Sequence, residues 1–168
     1  MIFNNNFILK DGIVDFNLKD EVTSRVGKFY EEDPFPNYKI NDNKHTILQI
    51  GEKNTLLKEF KKFIGFNKSL IEIGSGTCQL ANYLAVGTNN QVYAFDSSFN
   101  SLKLGKDFAD KNNIKNIKFV RGDIFDKNFK DESFDFIWCN GVLHHTKNPS
   151  KAFSNNNNAF NLTSLPKL

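Results

Sequence analysis

The feature that most constrains this chain is a regular alternation between short apolar runs and longer helix-like segments. The apolar runs lie at residues 69–73, 91–95, 117–120 and 134–139, and helix-like segments at 77–86 and 99–112 separate the first three. Strands that alternate with helices of this length form βαβ units, whose right-handed crossovers produce a parallel sheet. We therefore predict an α/β fold with a mainly parallel sheet and a ligand site at the carboxyl ends of its strands.

The flanking segments are less regular. Apolar residues recur at helical spacing over 56–64, which predicts an amphipathic helix that ends at Gly65. The start of the chain shows a short helix-like stretch at 19–30, followed by a turn with two prolines. The end of the chain is rich in asparagine and lacks a strand pattern. We divide the chain into an N-terminal extension (1–45), a core (46–153) and a disordered tail (154–168).

Four aromatic residues surround the two prolines of the extension. They are Phe29, Tyr30, Phe35 and Tyr38. Such a segment can close over a cofactor or substrate as an aromatic lid, or it can cover an edge of the sheet. We favour the lid and keep the second interpretation open.

Charge and apolar content argue against several classes of protein. The 168-residue chain has a net charge of +3, with 22 Lys and Arg interspersed among 19 Asp and Glu, so no nucleic-acid partner is indicated. No apolar run approaches the roughly 20 residues that span a bilayer, and the N-terminus lacks a signal-peptide pattern. Cys78 and Cys139 have neither metal-ligand nor disulfide spacing. We expect a single-domain cytoplasmic protein.

The first apolar run leads into the turn Gly74-Ser75-Gly76, where two glycines let the backbone turn tightly and approach a ligand. Three carboxylates lie near successive strand ends: Glu72, Asp96 and Asp123. Asp96 follows the turn by about twenty residues, where a carboxylate can accept hydrogen bonds from both ribose hydroxyls. Asp123 is placed to accept from an adenine amino group, while the N–H of Ile124 meets a ring nitrogen.

The charges around the turn favour one nucleoside cofactor over another. The pyrophosphate of NAD is anionic and is best received by a GxGxxG turn without a nearby carboxylate. Here Gln79 occupies the position of the third glycine, and Glu72 precedes the turn. An acidic lining favours the cationic ammonium and sulfonium groups of S-adenosylmethionine (SAM). A water or a lysine that masks Glu72 would restore the rival interpretation, an NAD-linked oxidoreductase.

Four ordered motifs carry a family resemblance: EIGSGTCQLANYLA, VYAFDSSFNSLKLG, FVRGDIFD and FDFIWCNGVLHHTKNPSKAF. Together they resemble class I SAM-dependent methyltransferases of the methyltransferase-11 type. The resemblance implies a Rossmann-like three-layer sandwich with strand order 3-2-1-4-5-7-6, SAM as cofactor and methyl transfer as the reaction. One departure is Cys78, where many members have a third glycine in the turn.

The resemblance also implies a role for each matching residue. Glu72, Gly74, Ser75 and Gly76 would hold the methionine part of SAM, Asp96 and Ser97 the ribose, Asp123 and Ile124 the adenine, and Asn140 with the backbone through Leu143 would close the site. Asn140 is interpreted equally well as a turn residue that caps a strand. His144 and His145 are weak candidates for a catalytic base, since methyl transfer needs none and packing or solvation explains them as well. No metal is expected.

The resemblance implies seven strands, whereas the pattern here supplies the first four. We expect an incomplete fold from a truncated or frame-shifted gene, with an exposed sheet edge through which the chain could self-associate. A small-molecule acceptor is expected. A non-catalytic SAM-binding remnant or interaction module is the alternative function.

Overall fold

The computed structural model describes residues 2–17 and 36–159, which fold around one six-stranded sheet. The strands are β1 (Ile8–Lys10), β2 (Ile13–Asp15), β3 (Ser69–Ile73), β4 (Gln91–Asp96), β5 (Ile117–Arg121) and β6 (Phe136–Cys139). All neighbouring strands are parallel except β1 and β2. This arrangement confirms the predicted α/β fold with a mainly parallel sheet.

The strand order β1-β2-β5-β4-β3-β6 puts β3 between β4 and β6. Its last four strands reproduce the order 3-2-1-4 that the family resemblance implies. The chain leaves β3 toward β4 and β5 on one side and returns to form β6 on the other side. This reversal opens a crevice at the carboxyl ends of β3 and β4, which is where open α/β sheets bind their ligands.

The N-terminal extension contains a β-hairpin, which the sequence analysis missed. Asp11 and Gly12 form its two-residue turn with φ of 50° and 76°, and an Asp-Gly pair in this conformation is a strong hairpin signal. β2 then pairs with β5, supported by an ion pair of 3.3 Å between Asp15 and Arg121. The described sheet therefore has six strands and not the four expected.

In the described part of the chain, four helices lie in the connections between the strands, and a 3-10 helix and a further α-helix follow β6. They are α1 (Lys44–Lys53), α2 (Thr55–Ile64), α3 (Gln79–Ala85), α4 (Phe99–Lys111), a 3-10 helix (Leu143–His145) and α5 (Pro149–Asn157). The amphipathic helix predicted over 56–64 is α2, and Gly65 ends it with a φ of 68°. The short helix expected at 19–30 lies outside the described residues.

Helix α1 was not predicted, although it begins with a clear capping signal. The side chain of Asn43 accepts from the backbone N–H groups of His45 and Thr46, and the Thr46 hydroxyl accepts from the Asn43 N–H in return. This reciprocal capping box satisfies donors that the first helical turn leaves without partners. A buried Ile47 and a buried Gly51 then face the rest of the domain.

The sheet separates two apolar clusters because side chains alternate along each strand. One face carries Leu70, Val92 and Phe119, which pack against helices α1 to α4. The opposite face carries Ile71, Phe95 and Val120 and packs against Phe129, Phe134 and Ala159. The central strand is thus buried on both sides, as its nearly continuous apolar sequence requires.

Helix α5 passes the predicted start of the disordered tail at Ser154 and ends at Asn157. Ala159 beyond it is buried, and its carbonyl accepts from the Phe134 N–H. Residues from 160 onward lie outside the described part, so the domain boundaries remain predictions. Within the described ranges no helix is long and apolar enough to cross a membrane.

We predict that Asn43→Ala destabilises the fold by about 1 kcal/mol, because it removes the side-chain acceptor of the capping box. The exposed Gln49→Ala in the same helix is the control and should change stability by less than about 0.5 kcal/mol. Urea unfolding followed by circular dichroism measures both values. Equal midpoints for the two variants would show that the cap does not stabilise α1.

Candidate cofactor-binding site

A cavity of about 580 Å³ opens at the carboxyl ends of β3 and β4. This volume lies within the range of about 300–1,000 Å³ that is usual for small-molecule sites. Most of the sequence-predicted site residues line it: Glu72, Gly74, Ser75, Gly76, Asp96, Ser97, Ile124 and Asn140. The fold therefore brings together residues as far apart in the chain as Glu72 and Asn140.

The glycine turn has the conformation that its sequence predicts. Gly74 and Gly76 have φ of 73° and 51°, in the left-handed region that favours glycine. The N–H groups of Gly74 and Ser75 donate to the Phe95 carbonyl at 2.8 and 3.1 Å, which ties the turn to β4. A Cβ on Gly74 would lie 2.1 Å from Cγ2 of Val142, so the loop after β6 packs directly on the turn.

Cys78 follows the turn in a left-handed conformation, with φ of 61° and ψ of 29°. This explains why a glycine suits the position, since a Cβ there costs roughly 1–2 kcal/mol. Cys78 is the N-cap residue of α3, but its side chain makes no capping hydrogen bond. The Glu72 carboxylate supplies the cap instead, because its Oε2 accepts from the Ala81 N–H at 2.9 Å.

Asp96 connects the two loops that border the cavity. Its Oδ2 accepts from the Gly76 N–H at 2.8 Å, and its Oδ1 accepts from the Ser98 N–H at 2.9 Å. Burial raises the pKa of this carboxyl, although hydrogen bonds from backbone N–H groups oppose the rise. The carboxylate thus fixes the shape of the glycine turn while it also lines the cavity.

Glu72 is the most perturbed acid of the site. It is 8% exposed, and burial raises its pKa to about 8, with a further contribution from the nearby Asp96. Among the described residues, neither carboxylate has an ion-pair partner. A buried and a half-buried acid without an ion-pair partner among the described residues fit a cationic ligand, because a positive group would offset their desolvation. The donor set therefore suits SAM better than an anionic dinucleotide.

Asp123 is placed differently from the expectation. Its carboxylate accepts from the Phe125 N–H at 2.8 Å and is 3% exposed, and Asp123 is absent from the described cavity lining. The next residues, Ile124 and Phe125, do line the cavity. Asp123 thus shapes the loop after β5, and the apolar side chains that follow it form the wall.

The residues after β6 divide into two groups. Asn140 is exposed and lines the cavity, together with Gly141 and Val142. Leu143 and His144 are absent from the described lining, and His144 is exposed. His145 belongs to the same 3-10 helix, and its role stays a prediction. Within the described residues, no group of three potential metal ligands is present.

A short segment that follows the undescribed residues is attached to the start of α3. The Thr77 hydroxyl donates to the Pro36 carbonyl, and the Tyr38 hydroxyl donates to the Thr77 carbonyl at 2.8 Å. Tyr38 also stacks on Phe108 with ring centroids 4.4 Å apart. Of the aromatic residues proposed as a lid, Phe29, Tyr30 and Phe35 lie outside the described residues. The lid therefore remains a prediction.

One wall of the cavity was missed by the sequence analysis. Helices α1, α2 and α3 supply it through Ile47, Ile50, Gly51, Leu57, Leu80 and Tyr83. The capping box at Asn43, followed by isoleucines three residues apart, was the available signal for α1. Nothing in the local pattern indicated that α1 would turn this face toward the glycine turn.

The sheet order, the glycine turn and the two carboxylates beside it define a class I SAM-dependent methyltransferase domain. The chain belongs to the methyltransferase domain family, whose model matches residues 71–159. This membership confirms the resemblance drawn from the four sequence motifs.

Similar proteins agree with this assignment. A demethylmenaquinone methyltransferase of Staphylococcus aureus (strain MRSA252) is 29% identical over 100 residues, which are 57% of this chain and 41% of the relative. The match thus spans less than half the length of that relative.

Two solved structures share the fold. A putative SAM-dependent methyltransferase of Methanococcus maripaludis has a TM-score of 0.59 at 21% identity and covers 86% of this chain and 62% of its own. The [4+2]-cyclase SpnF has a TM-score of 0.62 at 18% identity and covers 82% and 56%. Because the second structure is described as a cyclase, the fold alone does not specify the reaction.

We predict opposite effects of Glu72→Gln on stability and on cofactor binding. The pKa of Glu72 rises from 4.5 to about 8 on folding, so its stabilising contribution is present below pH 4.5 and is lost as the pH rises to about 8. Without ligand, the variant should therefore be more stable than the parent at pH 8. It should bind SAM about tenfold more weakly at that pH, since the ionised carboxylate is missing.

Thermal unfolding and calorimetric titration between pH 6 and 9 measure these two effects. SAM affinity of the parent should increase with pH up to about 8 and then level off, while the affinity of the variant stays flat. If the SAM affinity of Glu72→Gln changed with pH in the same way as that of the parent, the titrating group would be one other than Glu72.

We predict that Tyr38→Phe lowers the free energy of unfolding by about 1–2 kcal/mol. The change removes the donor to the Thr77 carbonyl and an acceptor for the Asn82 side chain, and both partners are buried. Chemical denaturation measures the loss. An unchanged midpoint would indicate that this segment does not stabilise the start of α3.

Proposed function

We propose that this chain is the cofactor-binding part of an enzyme that transfers a methyl group from SAM to a small-molecule acceptor. The observation that carries the proposal is a pair of carboxylates, the buried Glu72 and the half-buried Asp96, beside a glycine turn at the topological switch of the sheet. An acid pair in this place favours a cationic adenosyl cofactor.

The binding roles follow from position in the cavity. Glu72 and the turn from Gly74 to Gly76 would hold the ammonium and carboxylate ends of the methionine part. Asp96 and Ser97 at the end of β4 would hold the ribose. Ile124 and Phe125 would flank the adenine through apolar contact, and the buried Asp123 would position that loop. Asn140 would close the cavity from the side of β6.

When bound, SAM would supply a methyl group activated by its sulfonium, which a lone pair of the acceptor would take while S-adenosylhomocysteine leaves with the electron pair of the carbon–sulfur bond. The contribution of the protein is then to align the acceptor with the methyl group and to exclude water. His144 is absent from the described lining, and methyl transfer from an activated sulfonium needs no general base. We therefore assign no role to His144 or His145 in the proposed mechanism, in which the proton of the acceptor would pass to solvent.

A small acceptor is supported by two observations. The site is a cavity of about 580 Å³ and not a flat surface. The relative from Staphylococcus aureus is named for demethylmenaquinone, which is a small molecule. The formal charge of +3 is spread along the chain and gives no support for a nucleic-acid acceptor.

Calorimetric titration with SAM, S-adenosylhomocysteine and NAD tests the proposal. We expect both adenosyl compounds to bind and NAD not to bind. Asp96→Asn should weaken the binding of both adenosyl compounds about tenfold, because a charged hydrogen-bond acceptor for the ribose is lost. The control Asp107→Asn alters an exposed carboxylate on α4 and should leave binding unchanged.

Failure of the folded protein to bind either adenosyl compound would refute the proposal. Binding without methyl transfer to any small-molecule acceptor would favour the alternative, a SAM-binding module that lacks the reaction. Binding of NAD in their place would favour an oxidoreductase.

A further inference from the structure

The cavity has a second wall that the cofactor-binding residues do not explain. Helices α1, α2 and α3 contribute the following residues to it: Ile47, Ile50, Gly51, Leu57, Leu80 and Tyr83, together with the polar Gln79 at the start of α3. The charged residues of the described lining are Glu72, Asp96 and Lys147, and none of them belongs to these helices. This part of the cavity, which we call the helical wall, is therefore uncharged and almost entirely apolar.

The helical wall is held in place by contacts around Tyr83. The Tyr83 ring packs so closely on Gly51 that a Cβ there would lie 2.3 Å from it. Its hydroxyl donates to Glu52 at 2.9 Å, which satisfies the polar end of the side chain. Lys61 lies 4.3 Å from the centre of the ring and donates to the carbonyls of Tyr83 and Val86 at 2.6 and 2.7 Å. The wall is thus a packed surface and not a loose cluster.

One residue of the wall remains open to a ligand. Ile50 lines the cavity but is 56% exposed, whereas Ile47 one turn earlier is 2% exposed. Covering an exposed isoleucine with apolar groups is favourable, at about 25 cal/mol per Å² buried. The wall can therefore gain affinity from a hydrocarbon surface and offers no ion-pair partner to a charged one.

We propose that the helical wall is the acceptor subsite and that it binds an apolar part, aromatic or aliphatic, of the methyl acceptor. This inference rests on the proposed function, because methyl transfer requires acceptor and cofactor to share one cavity. The acidic end with its glycine turn suits the cofactor, so the remaining wall of the same cavity faces the acceptor. Its chemistry then selects a substrate with a hydrocarbon portion.

The neutral fluorescent probe N-phenyl-1-naphthylamine tests this subsite in the presence of saturating S-adenosylhomocysteine. Ile50→Ser should weaken binding of the probe about fivefold, because a hydroxyl replaces apolar contact surface. The matched control is Leu56→Ser, which alters a 66% exposed leucine that does not line the described cavity. Both positions are exposed, and circular dichroism should show folded protein for each variant.

Three results would overturn the inference: no binding of the probe, equal binding to the two variants, or displacement of the probe by S-adenosylhomocysteine. A separate titration with S-adenosylhomocysteine alone reports on the proposed function. If that titration fails while Ile50→Ser still weakens probe binding in the absence of nucleoside, the proposed cofactor is wrong and the apolar site stands.

Discussion

The structure around the candidate site depends on the hydrogen bonds that two carboxylates, Glu72 and Asp96, accept near the ends of the central strands. Asp96 fastens the glycine turn to the loop after β4, and Glu72 caps α3 from within β3. Each accepts backbone N–H groups that would otherwise lack partners, so both acids are part of the fold before any ligand arrives. Because neither has an ion-pair partner among the described residues, the same two groups also make the cavity receptive to positive charge.

Cys78 shows how this arrangement tolerates a residue that local geometry disfavours. Its left-handed backbone would suit a glycine, and its side chain does not cap the helix that it begins. Glu72 supplies the missing cap, and the buried Cys78 side chain occupies space beside Gly105 on α4. A Cβ on Gly105 would lie 2.6 Å from Cβ of Cys78. The strain at one residue is therefore accommodated by a glycine and a carboxylate elsewhere in the sequence.

The cavity combines an acidic and an apolar environment. Its acidic end is made by strand termini and backbone turns, which a parallel sheet places at one edge. Its apolar end is made by α1 and α2, which precede β3 in the chain, and by α3, which follows it. Helices α1 and α2 lie outside the matched region of 71–159, whereas α3 lies within it.

The sequence by itself determined the elements whose signals are local. The alternation of apolar runs predicted β3 to β6, the glycines predicted the turn, and the acids after the strands predicted a site at their carboxyl ends. Only the tertiary structure decided which side chains share the cavity. It placed Ile50 in the helical wall and Asp123 outside the described lining, in the loop after β5. It also paired β2 with β5. These outcomes depend on contacts between residues far apart in the chain, and periodicity within a segment carries no information about them.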